Sequence, residues 1–254
     1  MYRLCFLNNK GGVGKTSSAF QIAAILADRG LRTLLVDLDG QGNLSSTALA
    51  NSEAADATIY DVFYHGADPA SAVRPVQYAA RGCRNASEHG LFCLSGDSRM
   101  YEDSAFAVDQ AVLDSLNAYF ETYDAVIVDM PPSRLNAAAV GCRLAPNIVV
   151  PMSSSDLYAI DGYSALENAV ANTGTNAKII GVFATLYQKR TVNDFVCESM
   201  QEAVGDLMFN TRIPYSSQVQ ISAINSRPLI VGAAAEKVTQ AFSDLTDEMI
   251  ERLI

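Results

Sequence analysis

The sequence lacks long apolar runs and closely spaced cysteines. No apolar segment reaches the roughly 18 residues of a membrane span. The apolar N-terminal segment is interrupted at Asn8, Asn9 and Lys10, which is not typical of a signal peptide. C-x-x-C spacing is absent, which argues against a zinc or iron–sulfur site and predicts reduced, buried thiols in a cytoplasmic protein. The five cysteines are Cys5, Cys83, Cys93, Cys142 and Cys197.

Positive charge is also scarce, since 18 Lys and Arg stand against 28 Asp and Glu, a net charge of −10. Such a chain repels phosphate backbones on average, so any role on nucleic acid needs a local basic patch. The 254 residues, 49% hydrophobic, are enough for one large α/β domain or two small ones. Residues 51–103 are poorer in periodicity, and we interpret them as a surface elaboration of a single domain spanning residues 1–254.

Short apolar runs rich in Val, Ile and Leu alternate with helical patterns along the chain. Strands are predicted at 3–8, 32–39, 91–96, 123–130, 146–152, 178–186 and 209–214. Helices are predicted at 15–29, 106–121, 137–144, 159–172, 193–204 and 237–253, and the first ends at Gly30. The alternation predicts a doubly wound, mostly parallel α/β sheet of about seven strands with helices on both faces. Ligands of such sheets bind at the carboxyl ends of the strands.

The stretch FLNNKGGVGKTSS, residues 6–18, lies between a predicted strand and a predicted helix. Its glycines allow backbone amides to face an anion, and Lys15 can neutralise β- and γ-phosphate charge. The Thr16 hydroxyl is a magnesium ligand in such loops. The first position of the G-x-x-x-x-G-K-[ST] pattern is Asn9 instead of Gly. The order of strand, loop and helix still favours a nucleotide site over a glycine-rich turn without a ligand.

Two acidic motifs follow later strands. In LLVDLDGQGN, Asp37 and Asp39 project from the same face of an extended segment because they are two residues apart. Beside a triphosphate, two carboxylates can hold magnesium-bound waters and orient an attacking water; a solvated acidic turn is the alternative. AVIVDMPPS carries Asp129 at the end of an apolar run, the form of a Walker B strand. Each motif is weak alone and gains its meaning from the phosphate loop.

Together the motifs resemble those of the ParA/MinD family of deviant Walker A ATPases, and the ParA-like partition branch in particular. KGGVGKT (10–16), DLDGQGN (37–43) and DMPPS (129–133) are similar to the three signatures of the family. Residues 149–166 are similar to its segment after the fifth strand, and residues 211–231 to its C-terminal Ile-Pro loop. The resemblance covers nearly the whole chain. It implies a slow, partner-stimulated ATP hydrolase with ATP and Mg²⁺ as cofactors.

The resemblance also implies a role for Lys10, which the phosphate loop itself does not need. In the family this lysine reaches the phosphates of the ATP bound by the other subunit, so that ATP joins two copies in a sandwich dimer. The implied catalytic residues are Lys10, Lys15 and Asp39. The implied nucleotide-binding residues are Lys10, Gly11, Gly12, Val13, Gly14, Lys15, Thr16, Ser17 and Pro214. The implied magnesium ligands are Thr16, Asp37 and Asp129.

The function implied is the segregation of plasmid or chromosomal DNA by a cytoplasmic, nucleoid-associated homodimer. The dimer would bind non-specific DNA, and a centromere-binding or adaptor protein would stimulate hydrolysis. Two departures stand out: Gly40 replaces the usual Pro, which we expect to loosen the turn, and uncharged residues (Tyr215, Gln218, Gln220) stand where basic ones are common. The basic residues left in that half are Lys189, Arg190, Arg212, Arg227 and Lys237. A replacement patch could use Arg74, Arg81, Arg84 and Arg99.

Other functions stay open at this point. The same switch could position a cargo other than DNA. A MinD-like membrane role needs a basic amphipathic tail, but the tail AFSDLTDEMIERLI is acidic, and we expect it to form a packed helix. An electron-transfer or metal-delivery ATPase of the same superfamily is disfavoured by the cysteine spacing.

Overall fold

A computed structural model describes residues 1–77, 90–101, 106–132 and 135–254. The described chain forms one seven-stranded sheet with helices on both faces. The strands are β1 (Tyr2–Phe6), β2 (Thr33–Asp37), β3 (Val73–Pro75), β4 (Leu91–Leu94), β5 (Ala125–Asp129), β6 (Asn147–Ser153) and β7 (Lys178–Thr185). The helices are α1 (Lys15–Asp28), α2 (Asn43–Ala48), α3 (Ile59–Tyr64), α4 (Pro69–Ala72), α5 (Gln110–Phe120), α6 (Leu135–Leu144), α7 (Ala159–Ala171), α8 (Thr191–Val204), α9 (Ser217–Ile224), α10 (Leu229–Gly232) and α11 (Lys237–Glu251). Short 3₁₀ turns cover Ser98–Tyr101 and Gly205–Leu207.

The strand order is β3-β4-β2-β5-β1-β6-β7, and every pairing is parallel except that of β3 with β4. This confirms the predicted doubly wound, mostly parallel sheet. Strand β5 lies between β1 and β2, so Asp129 is in register with Phe6 on one side and with Asp37 on the other. The topology therefore gathers the phosphate loop and both acidic motifs at one carboxyl edge.

The central strands are apolar throughout because both of their faces are covered. Every residue of β2 and β5 is buried. In β5, Val126 and Val128 pack into one hydrophobic layer and Ile127 into the other, the two-residue period of a strand. Helices α1 and α11 contribute to the second layer, whereas α5 to α8 contribute to the first.

The strand predicted at 209–214 is not a strand, which corrects that prediction. The segment runs beside β7 with isolated bridges at Val182–Met208 and, just past the strand, at Tyr187–Pro214. The Ile213 amide also donates to the Ala184 carbonyl at 2.8 Å. Between the bridges the amides of Asn210 and Thr211 donate to the Glu248 carboxylate of α11, at 2.7 and 2.8 Å. Because a side chain takes these donors, a continuous ladder with β7 does not form.

The seventh strand comes instead from within the segment interpreted as a surface elaboration. Residues 73–75 form the antiparallel edge strand β3, and Pro75 is compatible with such an edge. Ile59, Phe63 and Leu94 of the same segment are buried in the core. The described part of the segment therefore completes the sheet in addition to covering its surface.

The predicted helices are confirmed with small shifts at their ends. Helix α1 ends at Asp28, and Gly30 adopts the left-handed conformation (φ 87°) expected of a helix stop. In α11, Phe242, Leu245 and Met249 are buried, as expected for a packed C-terminal helix. Four of the cysteines are free and buried, while Cys83 lies outside the described residues. Among the described residues no helix is long and apolar enough to span a bilayer.

Glu248 is expected to hold the 208–214 segment in place. Replacing it with alanine leaves the two backbone donors of Asn210 and Thr211 without their charged acceptor. We expect Glu248→Ala to lower the free energy of unfolding by about 1–3 kcal/mol, the range for hydrogen bonds to charged groups. Denaturant unfolding measures the change. The exposed Glu251 of the same helix is the matched control, and an equal loss in Glu251→Ala would contradict the assignment.

Candidate nucleotide-binding site

The phosphate loop turns sharply through two glycines in the left-handed region, Gly12 at φ 74° and Gly14 at φ 87°. A residue with a side chain rarely adopts these angles, so glycine is required at both positions. Helix α1 begins directly after Gly14, at Lys15. Its first amides and its dipole therefore face the loop, the arrangement that binds anions at helix N-termini.

Neighbouring strands hold the loop in shape. The Asn8 side chain accepts a hydrogen bond from the Lys10 amide (2.9 Å) and donates to the Pro151 carbonyl (2.7 Å). On the other side, the Thr185 hydroxyl at the end of β7 donates to the Val13 carbonyl at 2.9 Å. Val13 itself is buried, and its carbonyl is held by β7.

Thr16 contacts Asp129, the predicted Walker B aspartate, and Lys15 contacts the backbone of the loop. The Thr16 hydroxyl donates to Asp129 Oδ2 at 2.6 Å, and Lys15 Nζ donates to the Lys10 carbonyl at 3.0 Å. Burial lowers the pKa of the Lys15 ammonium, while Asp129 and Asp39 act to raise it. Lys15 is thus a largely desolvated cation whose nearest formal charges are carboxylates.

Asp37 and Asp129 are fully buried neighbours. Burial raises the pKa of Asp129 to about 8, and the Asp37 charge adds to that rise, while the hydrogen bond from Thr16 opposes it. Burial likewise raises the pKa of Asp37 to about 6. Three donors oppose this rise: the Ser45 amide (2.8 Å) and hydroxyl (2.7 Å), and the Asp39 amide (3.1 Å). The two carboxylates repel each other, so a cation placed between them would be stabilised.

The donor set suits Mg²⁺, which prefers oxygen ligands and keeps several of its waters. Asp129 Oδ1 is buried and has no hydrogen-bond partner in the described part of the chain. Such an orphaned oxygen is a natural partner for a metal-bound water. Thr16 and Asp129 would hold the ion, and Asp37 is in register beside Asp129. The predicted ligand set is therefore brought together.

Lys10 lies at the rim of the loop and points away from Lys15. Its ammonium forms an ion pair with Asp156 and donates to the Tyr158 carbonyl at 2.8 Å. Within the loop Lys10 takes part through its backbone, since its amide donates to Asn8 and its carbonyl accepts from Lys15. The two lysines, five residues apart, therefore lie in different environments.

A cleft of about 620 Å³ opens above the loop, within the usual size of small-molecule sites. Its phosphate end includes Gly11, Gly12, Gly14, Lys15, Thr16, Ser17 and Asp39. Its far wall includes Pro214 and Tyr215, which precede α9, and Gln220 within that helix. Pro214, one of the implied nucleotide-binding residues, lies in this wall, and Asp39 faces the cleft.

Sequence reasoning missed several residues that shape the site. Asn8, Thr185 and Ser45 contact loop backbone or Asp37, and Asp156 pairs with Lys10. A polar residue at the end of a buried strand is the only signal that marks Asn8 and Thr185 in advance. Ser45 and Asp156 carry no such signal, because their partners are distant in the chain or lie across a turn.

The comparisons with known proteins agree with this geometry. The family model described as an AAA domain matches residues 1–180. The chromosome-partitioning ATPase Soj of Thermus thermophilus is 30% identical over 259 residues, covering 99% of this chain and 96% of that protein. The chain belongs to the ParA-like partition ATPases.

Solved structures related to this ParA-like chain share its fold. An ATP complex of a McdA variant from Cyanothece superposes with a TM-score of 0.79 at 19% identity, covering 99% of this chain and 96% of that one. The septum site-determining protein MinD of Pyrococcus horikoshii with Mg-ADP gives a TM-score of 0.78 at 20% identity, covering 98% and 96%. At these identities the likeness supports the P-loop NTPase fold.

Without nucleotide and metal, Asp129 is expected to destabilise the ParA-like chain at alkaline pH. Its folded-state pKa, and that of Asp37, lie above the roughly 3.9 of an unfolded aspartate. Between about pH 4 and pH 8 these two carboxyls hold more protons in the folded chain than in the unfolded chain, so their contribution to the unfolding free energy falls as pH rises.

Asp129→Asn removes the larger of the two pKa shifts. In buffer free of nucleotide and metal, we expect the variant to gain melting temperature relative to wild type, and to gain more at pH 8 than at pH 5. Melting curves at the two pH values measure this, with the exposed Asp28→Asn as control. A gain of the same size at both pH values would show that the carboxylate is not the cause.

Proposed function

We propose that this chain is an ATP-switched positioning enzyme that acts as a dimer on DNA. ATP joins two copies face to face, the dimer binds non-specific DNA, and a partner protein stimulates slow hydrolysis, which separates the copies. The single observation that carries the proposal is the position of Lys10, at the rim of a complete phosphate site. The chain acts as one domain over residues 1–254, in the cytoplasm at the nucleoid.

The nucleotide is ATP with Mg²⁺. The amides of the glycine loop and of the first turn of α1 bind the phosphates, Lys15 neutralises them, and Pro214 and its neighbours in the far wall of the cleft contact the base. Magnesium, when bound, supplies positive charge to the β- and γ-phosphate oxygens. Thr16 and Asp129 hold the ion and its waters, and Asp37 accepts from them. Asp39, which faces the cleft, orients the attacking water.

The surface around Lys10 supports a second copy as its neighbour. Leu157 and Tyr158, beside the lysine's partner Asp156, are 62% and 71% exposed. Large exposed apolar side chains near one another mark surfaces that another molecule covers. In the dimer, Lys10 leaves Asp156 and reaches the triphosphate of the other copy, a far stronger anion than one carboxylate.

The DNA contact rests on few cations. Arg212 forms an ion pair with Asp194, and Arg227 donates to the Val231 carbonyl of its own chain. Lys189, Arg190 and Lys237 are exposed, and none of them forms an ion pair with another described residue. Few phosphate contacts mean weak binding, and the slope of log K against log salt is then shallow because it grows with the number of contacts.

The alternative basic patch is weakened in the same way. Arg74 forms an ion pair with Asp56, and Arg99 with Asp61 and Asp97. Arg81 and Arg84 lie outside the described residues. This pairing of cations favours, as the second candidate, a ParA-like ATPase that positions a cargo other than DNA. A MinD-like membrane role has less support, because Phe242, Leu245 and Met249 of the terminal helix are buried in the core.

Dimer formation is tested by light scattering of wild type and Lys10→Ala with ATP, with ADP and without nucleotide. We expect an ATP-dependent dimer that Lys10→Ala abolishes, with ATP affinity of the monomer kept within about threefold, because Lys15 and the loop stay intact. Lys178→Ala is the control, because Lys178 is exposed at the amino end of β7, away from the carboxyl ends that form the site. A Lys10→Ala chain that dimerises as well as wild type would remove the basis for an ATP switch.

DNA binding is tested by gel shift and fluorescence anisotropy at several salt concentrations, with ATP and the hydrolysis-blocked Asp39→Ala variant. We expect binding at low salt only. Adding Lys189→Ala and Arg190→Ala should reduce the slope of log K against log salt by about 1.8 for each copy that contacts the DNA, close to 0.9 for each lost phosphate contact. Lys178→Ala is again the control. The absence of a shift at any protein concentration would favour a cargo other than DNA.

A further inference from the structure

Residues 95–101, which follow β4 and include the 3₁₀ turn Ser98–Tyr101, lie against the loop that carries Asp37 and Asp39. We call residues 95–101 the brace. Its Gly96 amide donates to the Ser45 hydroxyl at 2.7 Å. The same hydroxyl donates to Asp37 Oδ2 at 2.7 Å. Ser45 therefore connects the brace to a carboxylate of the magnesium site.

Two glycines allow this close approach. A Cβ on Gly96 would lie 2.9 Å from Asp37 Cγ, and a Cβ on Gly40 would lie 2.6 Å from the backbone nitrogen of Tyr101. Neither glycine is in the left-handed region, so the need for glycine is steric. Gly40, where we expected a looser turn, is instead buried against the brace.

The brace is anchored on its outer side. The Ile59 amide donates to the Ser95 carbonyl at 2.8 Å, and the Ser95 amide donates to the Ala72 carbonyl at 3.0 Å. The Thr58 hydroxyl donates to Asp97 Oδ2 at 2.7 Å. Helices α3 and α4 thus fix the segment that contacts the loop.

We infer that the brace sets the position of the loop that carries Asp37 and Asp39. Ser45 is the positioning residue, because it holds the Asp37 carboxylate against the brace. This inference rests on the proposed ATPase function. Asp37 connects Ser45 to the turn that carries Asp39, because its Oδ1 also accepts from the Asp39 amide at 3.1 Å. Without the Ser45 hydroxyl, Asp37 keeps two of its three donors and the Gly96 amide loses its acceptor. The carboxylate and the start of the Asp39 turn are then held less firmly, by two backbone donors alone.

The first test compares Ser45→Ala with Ser45→Thr, which keeps the hydroxyl. Calorimetry with a non-hydrolysable ATP analogue measures affinity with and without Mg²⁺. We expect Ser45→Ala to lose about tenfold of the Mg²⁺-dependent gain in affinity, the low end for lost outer-shell partners of metal ligands. Affinity without Mg²⁺ should stay within about twofold, and Ser45→Thr should recover the gain. A purely structural role for Ser45 would lower both affinities or neither.

The second test acts on the brace from the opposite side of the loop. Gly40→Ala places a methyl group against the Tyr101 backbone, and we expect kcat to fall about tenfold while affinity for the analogue without Mg²⁺ is unchanged. Gly232→Ala, whose methyl group would meet only ordinary contacts at 3.6 Å or more, is the matched control. Melting temperatures show whether each variant is folded.

The possible outcomes distinguish a failure of the proposed ATPase function from a failure of the role of Ser45. If wild type shows no Mg²⁺-dependent binding of the analogue, the ATPase function fails and the role of Ser45 with it. If wild type shows the gain and Ser45→Ala keeps all of it, the role of Ser45 alone is overturned. A folded Gly40→Ala chain with wild-type kcat would equally overturn the role of the brace.

Discussion

The site depends on the burial of two carboxylates side by side, Asp37 and Asp129, at the ends of neighbouring parallel strands. Their mutual repulsion and desolvation disfavour the charged forms, so the empty site is under electrostatic strain. Neighbouring groups partly offset that strain. Thr16 donates to Asp129, Ser45 donates to Asp37, and the Lys15 ammonium lies close by. A metal ion with its waters would relieve what remains, so the arrangement favours the loaded state.

The two lysines of the loop differ in burial, and we therefore expect them to have different roles. Lys15 is buried among carboxylates and serves its own chain. Lys10 is partly exposed and is neutralised by Asp156, whose pKa is lowered by the lysine although burial acts in the opposite direction. In the proposed dimer the same ammonium exchanges a surface carboxylate for a triphosphate. An ion pair near the surface contributes little on its own, so we expect the exchange to cost the separated chain little.

The sequence predicted the central strands well because β2 and β5 are buried on both faces and therefore apolar throughout. It was wrong about residues 209–214, where an apolar pattern is real but Glu248 takes the donors that a ladder would need. It missed β3, a three-residue edge strand too short for any period to appear. The first error comes from a partner that lies far away in the chain, and the second comes from the shortness of the strand.

The sequence alone determined the phosphate loop, the two aspartate motifs and their common edge of the sheet. These depend on local conformation, such as left-handed glycines before a helix, and on the parallel order of apolar strands. Only the tertiary structure decided which groups surround each charge: Asp156 at Lys10, Ser45 and Gly96 at Asp37, and Tyr101 at Gly40. Hydrogen bonds and close approaches between separate segments depend on distances in space, and spacing along the chain does not encode those distances.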